Sequence, residues 1–361
     1  MERDECRNSA DFRGRGRIWH AVCSAKTVWP AVANWMSKDK EKAHMIKVEH
    51  LVKKFGLRTA VDDVSFTVEK GTVLGVLGPN GAGKTTTIRM IAGYLPPTSG
   101  TVAVNGIDVV ADPVAAQRQI GYMPENTPLY DEMTVAGFLG FLAELRGFSG
   151  QERDRRVDAI LAKCMLAKVR HQTIDTLSKG YRRRTSLAQA LLHDPAVLLL
   201  DEPTEGLDPN QKQVVRDMIA EMAPEKIILL STHVLEEVEA LCSRAVIVSE
   251  GRLKADSAPA DLKKRSASYN ALTVELLAPR AEALQAFGQI PDVERVEFVV
   301  GDDRKQVLRL VPRDRQSLAV GAVETATRHK WMVTEMRSDP GRLDEVFRQI
   351  TTTADVGRQT A

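Results

Sequence analysis

A chain of 361 residues, 43% hydrophobic and 27% charged, has room for about two domains and a sizeable core, with the make-up of an ordinary globular protein. Its formal net charge of +2 argues against a dedicated nucleic-acid binder. Cys6, Cys23, Cys164 and Cys242 form no C-x-x-C pair, which argues against a disulfide framework or a zinc site and for a reducing compartment. No apolar run approaches the ~20 residues that span a bilayer, so any membrane function has to come through a partner.

Residues 1–44 differ from the rest, with nine Lys/Arg against six Asp/Glu and three of the four tryptophans, Trp19, Trp29 and Trp35. Lys26 and Pro30 interrupt its most apolar part, which is too broken for a secretory core. It reads as a disordered extension or as translated upstream sequence, with the start at Met36 or Met45. From Met45 the chain reads as α/β. Ile46–Leu51 and Val64–Val68 look like strands, Thr72–Leu77 is an apolar strand, and Lys84–Tyr94 is a helix. Val102–Val109 holds the hairpin dipeptide Asn105-Gly106.

Residues 134–193 are mostly helical in pattern: Thr134–Arg146, Gln151–Leu166 and a helix opening near Ser178. Strands return at Ala196–Leu200, Lys226–Leu230 and Arg244–Ser249, with a helix at Asn210–Met222. This alternation predicts a largely parallel core sheet with helices on both faces and a small antiparallel flank, over 45–257. After a linker at 258–270, residues 271–353 read as β-α-β-β-α-β plus a closing helix, an α+β ferredoxin-like domain with a turn at Gly301, Asp302 and Asp303. Residues 354–361 form a tail.

The chemistry centres on Gly78, Pro79, Asn80, Gly81, Ala82, Gly83, Lys84, Thr85 and Thr86, which fit the phosphate-loop pattern G-x-x-x-x-G-K-[ST] between a strand and a helix. The glycines let backbone N–H groups wrap a polyphosphate, and the following helix offers its positive N-terminus to the same charge. In this pattern Lys84 reaches the β- and γ-phosphates and Thr85 ligates Mg²⁺. A second motif, Val197–Glu202, is an apolar strand ending in two acids. Paired with the phosphate loop, it resembles the second nucleotide motif of phosphate-loop ATPases, which implies Asp201 in the Mg²⁺ shell and Glu202 as the general base that polarises the attacking water.

Between the two lies Leu177-Ser178-Lys179-Gly180-Tyr181. Here the chain resembles the ATP-binding cassette (ABC) family, whose signature is L-S-G-G-Q; Ser178 and Gly180 match, Lys179 and Tyr181 depart. Ser178 is a good N-cap, and its helix points a positive end outward. The resemblance covers residues 45 to about 260 and implies a phosphate-loop NTPase cassette with a helical subdomain. It implies that Ser178 and Gly180 meet the γ-phosphate held by a second copy, that Phe55 stacks on adenine, that Asp208 crosses the dimer interface, and that His233 contacts the γ-phosphate. Glu125 stands where the family has Gln; its carboxylate can join the Mg²⁺ shell, and its charge lowers ATP affinity or alters coupling. A Pro-Glu at this point occurs in gliding-motility and multidrug or nitrous-oxide-associated branches.

The resemblance further implies the ATPase subunit of a type-2 ABC exporter, closing head-to-tail with its copy around two ATPs beside a separate polytopic permease, at the cytoplasmic face of the inner or plasma membrane. The segment Glu125–Ala143, with Tyr130 and Phe138 expected exposed, is the face expected to receive the permease. A non-transport, soluble ABC-type ATPase is the alternative; such proteins usually carry two fused cassettes or a long coiled-coil insert, and the sequence has neither.

Overall fold

The computed structural model describes residues 45–302 and 305–352. The expectations for 1–44, for the tail 354–361 and for Asp303 lie outside the described residues. The described residues fall in one compact unit. In chain order its elements are β1 (Met45–Phe55), β2 (Arg58–Glu69), β3 (Val73–Leu77), α1 (Lys84–Ile91), β4 (Ser99–Val104), β5 (Ile107–Asp108), α2 (Pro113–Gln119) and β6 (Ile120–Met123). Then come α3 (Val135–Leu145), α4 (Gly150–Lys163), α5 (Lys179–Leu191), β7 (Val197–Asp201), α6 (Pro209–Met222), β8 (Ile227–Thr232), α7 (Leu235–Leu241), β9 (Arg244–Ser249) and β10 (Arg252–Ser257). The remainder is α8 (Pro259–Lys263), β11 (Leu272–Leu277), α9 (Arg280–Gly288), β12 (Val293–Gly301), β13 (Lys305–Pro312), α10 (Ala319–Arg328), β14 (Met332–Ser338) and α11 (Leu343–Thr352).

The central six-stranded sheet runs β10-β9-β3-β8-β7-β6 and is parallel except for the edge strand β10. Its middle strands are apolar throughout because both faces are covered. Leu198, Leu200, Ile228 and Leu230 point into one core with α3–α6, while Val197, Leu199, Ile227 and Leu229 point into another with α1 and the antiparallel sheet β2-β1-β4-β5. β1 and β2 alternate buried and exposed residues, as a half-solvated sheet does. Asn105 (φ 51°) and Gly106 (φ 80°) take the left-handed conformations of a two-residue hairpin turn between β4 and β5.

Local chemistry starts the helices where they start. Thr134 Oγ1 accepts from Gly137 N at 3.1 Å to open α3, and Asp208 Oδ1 accepts from Gln211 N at 2.9 Å to open α6, with Pro209 in its first turn. The antiparallel sheet β12-β13-β11-β14 with α9 and α10 has the strand order of the ferredoxin-like plan.

Several features differ from the expectation. β2 begins at Arg58, since Gly56 (φ 57°) turns the chain straight back after Phe55. α2, α7 and β10 are short elements whose patterns span too few residues to stand out. Residues 258–270, expected as a linker, contain α8, and Leu262 is fully buried. The closing helix α11 joins the cassette core: Leu343, Phe347 and Ile350 pack into the same cluster as Leu262. Phe138, expected exposed, is 1% accessible in the core, because the inward stripe of α3 includes Val135, Phe138 and Leu139.

Candidate functional site

In a parallel sheet, residues just beyond the carboxyl ends of neighbouring strands meet along one edge. The register pairs Leu77 with Thr232, Asp201 with Ser231 and Met123 with Leu200. The phosphate loop after β3, His233 after β8, Asp201 and Glu202 at the end of β7 and Glu125 after β6 therefore share an edge. A cavity of about 640 Å³ opens there, a size suited to a small-molecule ligand. It is lined by Phe55, Asn80–Thr86, Glu125, Glu202 and His233, with Arg58, Ala60 and Glu205 besides.

Three glycines of the loop leave no room for a side chain or need backbone that other residues rarely adopt. Gly81 (φ 80°) and Gly83 (φ 105°) occupy left-handed backbone, and a Cβ on Gly78 would meet the Val248 carbonyl oxygen at 2.3 Å. Gly83 opens α1 without a capping side chain, which leaves the first-turn N–H groups for an anion. Lys84 is 7% exposed; its ammonium donates to the Gly78 carbonyl at 2.7 Å and the Pro79 carbonyl at 3.3 Å. Burial lowers its pKa, against the opposing pull of Glu202, Asp201 and Glu125.

Asp201 is 1% exposed at the end of β7. Its Oδ1 accepts from Ser231 Oγ and, at 3.3 Å, from Thr85 Oγ1, while its Oδ2 is buried with no hydrogen-bond partner among the described residues. A hard cation held by one hydroxyl, one carboxylate and substrate phosphates fits this pair, since Mg²⁺ needs no full cage of protein ligands. Glu202 turns the chain at φ 51°, with its N–H donated to the Ser231 carbonyl at 3.1 Å. Its Oε1 lies 3.0 Å from His233 Nδ1. Burial pushes the Glu202 carboxyl above the usual carboxylate range, with His233 pulling the other way. Phe55, 50% exposed, walls the far side, with the Lys53 ammonium 5.3 Å from its ring centroid.

Ser178, Gly180 and Asp208 are not among the cavity's lining residues; they gather elsewhere, at the starts of α5 and α6. Ser178 Oγ accepts from Tyr181 N at 3.4 Å and is exposed. Gly180 packs so tightly on α6 that a Cβ would meet Gln211 Cδ at 2.5 Å, and the Lys179 ammonium lies against Gly206. The sequence reading missed Arg183. Its guanidinium donates to the carbonyls of Glu125 at 2.5 Å, Pro203 at 3.0 Å and Asp201 at 3.2 Å, tying α5 to the loops after β6 and β7. One arginine among three in Arg182-Arg183-Arg184 carries no signal that it faces inward.

Residues 61–205 match the family model described as "ABC transporter". The chain is 40% identical over 196 residues to the ABC transporter ATP-binding protein NatA of Bacillus subtilis, covering 54% of this chain and 80% of that one. It is 31% identical over 317 residues to the Nod factor export ATP-binding protein I of Ralstonia nicotianae, covering 85% and 94%. It spans only 26% of the length of another relative, ABC transporter A family member 1 of Dictyostelium discoideum, at 37% identity over 227 residues, or 63% of this chain. Among solved structures, one titled "Structure of ATP binding subunit of ABC transporter" aligns with TM-score 0.56 and 32% identity over 61% of this chain and 92% of that one. With most of two relatives' length covered at such identities, and the nucleotide cavity in place, the chain belongs to the ABC transporter family as an ATP-binding, ATP-hydrolysing cassette.

Proposed function

We propose that this cassette powers export through a separate polytopic permease at the cytoplasmic face of the membrane, with two copies closing head-to-tail around two ATPs. The observation that carries the reading is the split of the site: the cavity holds Lys84, Thr85, Glu202 and His233, whereas the exposed Ser178 and Asp208 lie outside it at two helix starts, with Gly180 buried behind them, where a second copy would bring them to a bound nucleotide. Among the described residues no helix is long and apolar enough to cross a membrane. The relative named for Nod factor export, matched over 94% of its length, supports export.

In this reading the phosphate-loop N–H groups and Lys84 cradle the β- and γ-phosphates, and Phe55 stacks on adenine. Thr85 and Asp201, with Glu125 beside them, would hold Mg²⁺, which supplies charge neutralisation to the phosphates. Glu202 takes the proton of the attacking water, and its raised pKa suits it to that task near neutral pH. His233 holds the Glu202 carboxylate in place through the 3.0 Å contact and faces the γ-phosphate. Serine and backbone N–H groups of the partner copy's α5 start complete the phosphate shell, so hydrolysis and release reopen the pair. The variant E202Q should turn over ATP roughly 10²–10⁴-fold more slowly while still binding it and accumulating as a closed dimer. Steady-state ATPase rates with size-exclusion chromatography in ATP check this; normal turnover would refute the base role.

The permease face is a groove of about 740 Å³ lined by Tyr94, Val114, Tyr122, Leu145, Phe148 and His193, among others. Tyr94, Val114 and Leu145 are 68%, 60% and 67% exposed, an apolar cluster of the kind that marks a partner surface.

A further inference from the structure

Glu237, on α7 four residues beyond His233, is 1% exposed, yet it lines neither the cavity nor the groove. Its Oε1 accepts from Thr204 Oγ1 and lies 3.5 Å from Lys212 Nζ; its Oε2 accepts from Thr232 Oγ1 at 3.0 Å. These donors come from three different segments. Thr204 follows Glu202 by two residues, and Thr232 immediately precedes His233. Lys212 lies in the opening turn of α6, and its N–H donates to the Asp208 carbonyl at 2.9 Å. One buried carboxylate thus joins the loop of the general base, the loop of its histidine and the segment that carries Asp208.

A buried carboxylate with two hydroxyls and an ammonium around it is well satisfied, but an apolar residue of the same size could fill the space without the desolvation cost. Its use is therefore geometric. Glu202 and His233 touch through a single 3.0 Å contact across two loops, and a displacement of about 1 Å at such a contact costs on the order of 10²-fold in rate. We infer that Glu237 is a positioning residue for ATP hydrolysis: it fixes the spacing of the Glu202 and His233 loops and ties that spacing to the segment that faces the second copy. The inference rests on the roles given above to Glu202 and His233.

The test is E237Q. The amide is isosteric, but it offers one acceptor oxygen and a donor nitrogen, so it cannot accept from both threonines and Lys212. The measurements are kcat and KM for ATP, binding of a fluorescent ATP analogue, and melting temperature, in the parent and in an H233A background. Glu237 acting through His233 predicts a fall in kcat on the order of ten- to a hundred-fold with KM and analogue binding unchanged. It also predicts no further fall when E237Q is added to H233A, because coupled residues are not additive. The milder T204V should show a smaller loss with the same non-additivity, and it carries the test if E237Q does not fold. Parent-level kcat in E237Q, or an equal fall in both backgrounds, would overturn the inference. Full turnover by H233A alone would overturn the histidine's role and this inference with it.

Discussion

At Glu202 two demands conflict. The residue sits in left-handed backbone with a largely buried carboxylate, and both features cost stability in a non-glycine, ionisable side chain. Because burial raises its pKa, the ionised form is disfavoured in the fold. Its contribution to stability is therefore fullest below the ordinary carboxylate range and is lost as pH rises through the elevated value. Activity runs the other way, since the base works only when deprotonated. The acidic limb of kcat should lie above the usual carboxylate range and vanish in E202Q, and E202Q should melt at or above the parent temperature at neutral pH. A pH–rate profile with a melting curve reads both. The residue types of this site were legible from sequence because phosphate chemistry admits few substitutes for Gly83, Lys84 and Asp201. Arg58, Arg183 and Glu237 were not, because what makes them matter is contact with distant segments, such as Arg58 lining the cavity beside Gly81.

Elements were legible where a pattern is long or a cap is strong. β3, β7 and β8 read as buried strands, Ser178 marked a helix start that the structure places at Lys179, and the helix expected from Asn210 begins at Pro209. The failures were of facing. Phe138 was read as an outward aromatic, whereas in α3 the exposed large apolar side chains are Phe141 and Leu145, and Tyr130 packs edge-on to both Phe138 and Phe141. The groove beside Leu145 has a further property. His193 donates Nε2–H to the Ile120 carbonyl at 3.1 Å, and burial with the nearby Arg146 pushes its pKa down to about 4, so it stays neutral; its Nδ1 and Gln189 Oε1 are buried acceptors without partners among the described residues. A docked segment that brings hydrogen-bond donors among apolar side chains would satisfy them. The pair of changes Y94A and L145E should leave the isolated cassette's ATPase rate unchanged and abolish its recovery with permease-containing membranes. Undiminished membrane recovery in a flotation assay would remove this groove from the docking account.

On the scale of the whole molecule, the cassette architecture followed from strand–helix alternation and motif order, because each motif ends a strand of one sheet and the topology brings those ends together. The place of α11 did not follow. An amphipathic helix has to bury its stripe somewhere, and only the folded chain shows that Leu343 and Phe347 return to the cassette core and that Glu345 accepts from Ser266 Oγ at 2.5 Å and Ala267 N at 3.1 Å. The claim on which the rest depends is that nucleotide held in one copy's cavity is completed by the other copy's Ser178 surface. The direct measurement is complementation between two crippled copies: K84A, which cannot hold nucleotide, and S178R, whose signature surface is blocked. Each alone should be inactive, and an equimolar mixture should regain ATPase activity, because every mixed dimer joins the intact phosphate loop of S178R to the intact Ser178 of K84A. A mixture as dead as its parts, or full activity from S178R alone, would contradict the account.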